Sequence, residues 1–205
     1  MIEAFLHGAI LAFGLILPLG VQNVFVFNQG ATQKRFTRAL PAVITAGICD
    51  TILILLAVMG VSIIVFSFVW IKNVLFIVGF FFLLYMGWSI WKSEPKQNSE
   101  EKRGSSFSMK RQITFAASVS LLNPHAILDT IGVIGTSSLA YGGYDKWAFS
   151  LACIGISWLW FLSLALVGRK VGDFDSSGRF LKRMNQVSAI IIWGMALYIG
   201  AQVLS

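Results

Sequence analysis

Two short stretches decide how this chain folds: Pro18-Leu19-Gly20-Val21-Gln22-Asn23 and Leu122-Asn123-Pro124-His125. Each lies inside a long apolar run and interrupts it with proline and side-chain amides. Proline removes one backbone donor, and its ring clashes with the carbonyl four residues back. Pro18 thus frees the carbonyl of Gly14, and Pro124 that of Ser120. In lipid, such groups are tolerated only where protein or a water-filled cavity satisfies them. Gln22, Asn23 and Asn123 supply amides that can reach them. An ordinary proline kink is the plainer reading of either break alone. Two amide-flanked breaks in corresponding places point to a binding site at the membrane midplane.

The rest of the chain agrees with a membrane setting. Of its 205 residues, 57% are hydrophobic and 12% charged, and the mean hydropathy is +0.77. A soluble domain carries roughly 25% charged residues. That excludes a soluble enzyme, a disordered tail and a secreted disulfide scaffold. A net charge of +7 suggests nucleic acid at first. The basic residues, however, sit in short segments between apolar runs, as in the cytoplasmic loops of a membrane protein.

A helix crosses the hydrocarbon core in about 20 residues. Six stretches qualify: 4–28, 42–68, 71–91, 112–139, 147–168 and 185–204. The first is not a cleaved signal peptide, because it lacks a basic start, carries Glu3 and runs past Pro18 to Phe27. Lys34, Arg35 and Arg38 follow the first stretch, Lys92 to Arg111 the third, and Arg169 to Arg183 the fifth. All of the 16 Lys and Arg except Lys72 and Lys146 fall in these three loops. The positive-inside rule makes that side cytoplasmic and turns both termini outward.

The one polar linker, 92–111, separates residues 1–91 from residues 112–205. Its mixed charge and serine content suit a mobile cytoplasmic segment. Three spans on either side give the second half the opposite direction through the bilayer, as an inverted repeat requires. The expected fold is therefore all-α: six transmembrane helices as two inverted three-helix repeats. The first helix of each repeat is broken, at Pro18 with Gly20 and at Pro124.

Asp50 and Asp129 fall inside apolar stretches. A carboxylate at the bilayer centre costs about 2.5–3.5 kcal/mol, so each is a functional candidate, although protonation or capping by Thr51 and Thr130 would also house it. No Lys or Arg lies deep in any span. A cationic substrate or a proton would supply the missing charge. His125 could relay protons or simply hydrogen-bond the unwound backbone. His7 reads as an interface residue. Trp70, Trp88, Trp91 and Trp147 fit interfacial belts. Trp158 and Trp160 lie deeper, where they either pack or stack on a cation. Cys49 and Cys153 lack paired motifs and read as buried hydrophobes. No spacing of His, Cys and acidic residues suits a metal, and nothing calls for a cofactor.

These residues together resemble the LysE-type amino-acid exporters, in particular the branch of lysine and arginine exporters. Gly20-Val21-Gln22-Asn23-Val24-Phe25-Val26 with Gln29-Gly30 looks like that branch's first-helix motif. Cys49-Asp50 matches its second-span aspartate. Asn123-Pro124-His125-Ala126-Ile127-Leu128-Asp129-Thr130 looks like its fourth-span signature, and Ser157-Trp158-Leu159-Trp160-Phe161 its aromatic stretch. One departure is that Val21, not proline, precedes the Gln22-Asn23 pair. The resemblance implies a plasma-membrane secondary transporter, not an enzyme, that exports L-arginine or L-lysine.

Residues and resemblance give one scheme. Gln22, Asn23 and Asn123 with the half-helix N-termini receive the substrate carboxylate. Asp50 and Asp129 receive its cationic groups and, with His125, carry a coupled proton. The halves rock around this site. The partners are then a basic amino acid, a proton, the lipid bilayer and, in a homo-oligomer, further copies of the chain. The rival readings are a homoserine or threonine exporter, a divalent-cation exporter and a membrane thiol-disulfide carrier using Cys49 and Cys153.

Overall fold

In the computed structural model, the described residues are 1–18, 20–33, 35–61, 69–92, 107–123, 126–127, 129–174 and 179–204. Among them there are helices and no strands. Helix α1 (Ile2–Ile16) stops just before Pro18, and α2 (Val21–Thr32) restarts after Gly20, bent by 80° from α1. A short 3-10 turn, Phe36–Arg38, leads into α3 (Leu40–Leu56). Pro41 sits in the first turn of α3, where its missing N–H costs nothing. Helix α3 widens into a π-helical turn, Ala57–Val61, in which Gly60 adopts φ +94°. That left-handed backbone is open to glycine at no steric cost.

Helix α4 (Val69–Trp91) follows. Helix α5 (Met109–Leu121) is capped by the Ser108 hydroxyl, which accepts from the Arg111 N–H at 3.4 Å. This cap starts the helix at Met109, so the last three residues of the segment expected to be linker are helical. The second break is seen from its flanks, since Pro124 and His125 lie outside the described residues. Beyond it come a π-helical segment, Asp129–Ile134, and α6 (Gly135–Ser138). Helix α7 (Gly143–Phe174) and helix α8 (Arg179–Leu204) close the chain.

Helices thus lie in each of the six expected apolar stretches. Residues 62–68, the end of the second stretch, and 93–106 of the linker lie outside the described part. Helix α7 runs past its apolar stretch to Phe174, so Arg169 and Lys170, expected in a loop, sit on its last turns. Arg169 pairs there with Asp173, one turn on.

Leu40–Gly60 and Gly143–Phe174 are each long and apolar enough to cross a bilayer, and α1 with α2 makes a third such unit if counted as one bent span. The outward faces of the helices carry exposed Ile10, Phe81, Leu151, Leu159, Ile190 and Leu197. A protein in water rarely displays so much apolar surface; hydrocarbon suits it.

Packing follows a regular pattern. Both α1 and α2 lie along α7, α3 packs on α5 and on α7, and α4 pairs with α8. Close approach at the α2–α7 crossing is built from small residues. A side chain on Gly30 would strike the Ala165 backbone, and one on Gly168 or Gly172 would strike the backbone of Phe27 or Ala31. Small residues serve membrane helices in this way by letting backbones touch. One register also links the two halves. A shift of 107 residues carries the start of α1 (Ile2) onto the start of α5 (Met109). The same shift carries α2 onto residues 128–139, where the π-helical segment and α6 lie. It carries α3 into α7 and most of α4 into α8.

Candidate functional site

The two breaks meet at one cavity of about 160 Å³. Its wall takes Pro18, Gly20, Gln22 and Asn23 from the first break and Asn123 and Ala126 from the second. Asp50 enters from α3 and Asp129 from the π-helical segment. Five residues singled out as substrate-binding candidates (Asp50, Asp129, Gln22, Asn23 and Asn123) therefore share a single space. Gln22, Asn23 and Asn123 are buried, while Asp50 and Asp129 remain partly accessible.

The first break is held open by its own amide. Asn23 Nδ2 donates to the carbonyls of Ile16 at 2.7 Å and Pro18 at 2.9 Å. The amide expected to relieve the broken helix does so, but at these two carbonyls. Helix α2 has no side-chain cap at Gly20, so its first turn, of which Gly20, Gln22 and Asn23 line the cavity, keeps the partial positive charge of a helix N-terminus. Gln22 Nε2 reaches across to α3 and donates to Asp50 Oδ1 at 3.1 Å. At the second break, the Ile127 N–H donates to the Asn123 carbonyl at 3.1 Å.

Ser157 and Phe161 of α7, quoted from the sequence only as ends of the aromatic stretch, also line the cavity, as does Thr130, named there as a possible cap for a buried carboxylate. Ser157 is buried and shares the cavity wall with Asp50. A serine in an apolar run is unremarked by composition. The signal available was positional, because the shift of 107 residues carries Asp50 onto Ser157.

Neither Trp158 nor Trp160 reaches the cavity wall. Trp158 lies against Gly47 and donates its Nε1–H to Thr51 Oγ1 at 3.1 Å. Trp160 meets Phe13 edge to face. The aromatic ring that faces the cavity is Phe161. His125 and Pro124 lie outside the described residues. His7, read as an interface residue, hydrogen-bonds the Tyr141 hydroxyl through Nδ1 at 2.7 Å. Cys49 and Cys153 are free and buried, and Cys153 is part of an apolar cluster with Ala4, Ala12 and Phe149. Among the described residues, no three His, Cys, Asp or Glu side chains gather as a metal site would need.

The end of α2 and the start of α5 meet at a second polar cluster. Gln29, Gln33 and Gln112 are all buried. Gln33 Nε2 donates to Gln29 Oε1 at 3.1 Å and to the Phe107 carbonyl at 3.2 Å. Gln112 Nε2 donates to the carbonyls of Arg38 at 2.9 Å and Phe107 at 3.0 Å.

No Lys, Arg or His lines the cavity among the described residues, so two carboxylates and several neutral amides define its chemistry. Comparison with known proteins points to a transporter. The family model described as LysE type translocator matches residues 13–202. YisU of Bacillus subtilis (strain 168), whose name proposes an amino-acid transporter, is 58% identical over 198 residues, covering 97% of this chain and 89% of that protein. The arginine exporter protein ArgO of Pectobacterium carotovorum (strain PC1) is 30% identical over 202 residues, covering 96% of each chain. ArgO of Escherichia coli (strain K12) is 31% identical over 199 residues, covering 96% of this chain and 93% of its own. No solved structure matches the chain. A family match over nearly the whole chain, on a fold of apolar helices, places this protein in the LysE type translocator family, as an integral membrane transporter and not an enzyme.

Proposed function

We propose that the protein exports basic L-amino acids, arginine or lysine, across the plasma membrane by alternating access, with a proton exchanged at Asp50 or Asp129. The observation that carries this reading is one cavity lined by Asp50, Asp129 and neutral amides, with no basic residue in its described wall. The cationic side chain of the substrate supplies the positive charge that such a wall lacks. Its α-carboxylate sits at the first turn of α2, beside Gln22, Asn23 and Asn123, where helix N–H groups suit an anion. The names of the ArgO relatives support the same substrate class.

Six spans arranged as two inverted repeats are the topology this reading requires. The 107-residue register between helix boundaries supports it, and so does the packing pattern. In an inverted repeat, the contact of the first span with the fifth is mirrored by that of the fourth with the second. Here α1 and α2 lie on α7, and α5 lies on α3. Both termini then face outward, with the cluster of Gln29, Gln33 and Gln112 on the cytoplasmic side. Moving a cation out of the cell works against an inside-negative potential at about 2.3 kcal/mol per charge per 100 mV. An inward-moving proton offsets that cost.

The test is efflux from cells lacking their own exporters, loaded with arginine- or lysine-containing dipeptides. The protein should speed release of the basic amino acid, and Asp129→Asn should return release to background with the same amount of protein in the membrane. Full activity of Asp129→Asn overturns the carboxylate scheme. Unchanged release with the wild type turns the substrate assignment to threonine, homoserine or divalent cations.

A further inference from the structure

We infer that the two neighbouring amides of the first break have separate tasks: Asn23 is spent on the chain itself, and Gln22 is a positioning residue that holds Asp50 for the cationic side chain of the substrate. The inference rests on the proposed role of Asp50 as a receptor for that side chain and names the residue through which the subsite is built.

A side-chain amide has two N–H donors on its nitrogen, and its oxygen only accepts. Both donors of Asn23 are in use. Nδ2 lies 2.7 Å from the Ile16 carbonyl oxygen and 2.9 Å from that of Pro18. Two carbonyls converging on one atom also decide which end of the amide is nitrogen, since an oxygen there would face two acceptors. Asn23 therefore keeps no N–H for a substrate carboxylate. Its place in the cavity wall is that of a brace across the break, from the first turn of α2 back to Ile16 at the end of α1.

Gln22, one residue earlier, sends its amide the other way. Nε2 donates to Asp50 Oδ1 at 3.1 Å, from α2 to α3. Gln22 is buried, Asp50 is partly accessible, and both line the cavity. The contact takes one of the about four lone-pair directions of the carboxylate. It restrains the rotation of the Asp50 side chain and leaves the other directions for a ligand. Because the donor is neutral, it orients the negative charge without cancelling it. A lysine or arginine in its place would form an internal ion pair and compete with the cation of the substrate. The break itself delivers this donor, because α2 restarts at Val21 and so sets Gln22 in its first turn, beside the cavity.

The experiment uses the purified full-length protein in detergent. It follows the rise in melting temperature that a ligand bound to the folded state produces. Three ligands are titrated: arginine; agmatine, which is arginine without its carboxylate; and citrulline, which keeps the carboxylate on an uncharged side chain. Gln22→Met keeps the bulk and loses the donor. It should raise the half-saturating concentrations of arginine and agmatine together, roughly tenfold, as expected for a lost hydrogen bond to a charged group, and leave that of citrulline within about twofold. Gln22→Asn draws the amide back out of reach of Asp50. It should behave as Gln22→Met does, and it replaces that variant if the latter does not fold. Asn23→Ala should lower the melting temperature without ligand and leave the ratios among the three ligands as in the wild type. A loss for arginine and citrulline with agmatine unchanged overturns the inference, since it marks Gln22 as the receiver of the carboxylate. An equal loss for all three also overturns it, as the sign of a packing role, and so does no loss for any. If arginine does not stabilise the wild type at all, the basic-substrate reading fails first and takes this inference with it.

Discussion

The crossing of α1 and α2 with α7 and the crossing of α5 with α3 occupy matched places in the two halves, yet they are built from opposite materials. In the first, Gly8 lies so close to the Phe149 backbone that a Cβ there would overlap its carbonyl, and Gly30, Gly168 and Gly172 make similar contacts. The shift of 107 residues carries Gly8 onto Phe115 and Ala42 onto Phe149. In the second crossing, Phe115 packs against Ala42, with Phe25 4.3 Å from the Phe115 ring centre and Phe107 5.7 Å from it. The large and small partners have changed sides. One crossing is backbone against backbone and the other is side chain against side chain. The first behaves as a fixed joint. The second is held by groups that can rotate away, and it lies beside the polar seal of Gln33 and Gln112.

The largest effect should come from enlarging the fixed joint. Gly30→Leu places a side chain into the Ala165 backbone, which no repacking relieves. Detergent extraction followed by size-exclusion chromatography should recover little or no folded protein. Gly8→Phe should fail in the same way, and adding Phe149→Ala should not rescue it, because the obstruction is a carbonyl. The matched change in the other crossing, Ala42→Phe, should also be damaging, but Phe115→Ala beside it should restore most of the folded yield. Equal rescue at both crossings would erase the distinction between them.

Next in size is Phe115→Ala alone. It removes the ring that joins Phe25 and Phe107 and leaves a void worth about 3–5 kcal/mol in a packed core. Thermal melting in detergent should fall clearly while the glycine crossing stays intact. Gln112→Leu comes third. It takes the side-chain donor from the Arg38 carbonyl and leaves the Phe107 carbonyl to Gln33 alone, and a buried acceptor left unmatched costs about 1–3 kcal/mol. A cysteine placed at Ala116, fully buried one turn along α5, should then label faster with a thiol reagent added on the side of that cluster. Unchanged labelling would mean that the glutamine cluster does not seal that end.

The sequence made the breaks and the charged residues legible, because each violates what a membrane helix ordinarily contains. Pro18 and Gly20 end a helix wherever they stand, and Asp50 costs too much in lipid to be incidental. Those rules brought Gln22, Asn23, Asn123 and Asp129 to the same cavity without any coordinates. Ser157 was missed because serine is tolerated almost anywhere in a membrane helix, so its meaning lies in what it faces. Gln33 and Gln112 were missed for a related reason. They lie next to basic loops, where a glutamine reads as solvated, and only the approach of α2 to Phe107 buries them. Trp158 shows the same limit: depth in an apolar stretch left packing and stacking on a cation both open, and the direction in which the side chain leaves the helix decides for packing.

The smallest effect sharpens that last point. Trp158→Phe keeps a ring against Gly47 and deletes only the hydrogen bond to Thr51. Interhelical hydrogen bonds in membranes average about 0.6 kcal/mol, so melting should fall slightly. Arginine half-saturation should stay near wild type, because the indole does not touch the cavity. A ring that held the substrate's guanidinium would behave differently. Phenylalanine offers a weaker face than tryptophan to a cation, and half-saturation would rise while melting stayed level. The two measurements on one variant therefore move in opposite senses under the two roles. The geometry at Gly47 and Thr51 assigns Trp158 to the joint between the halves, one residue along α7 from Ser157, which faces the cavity.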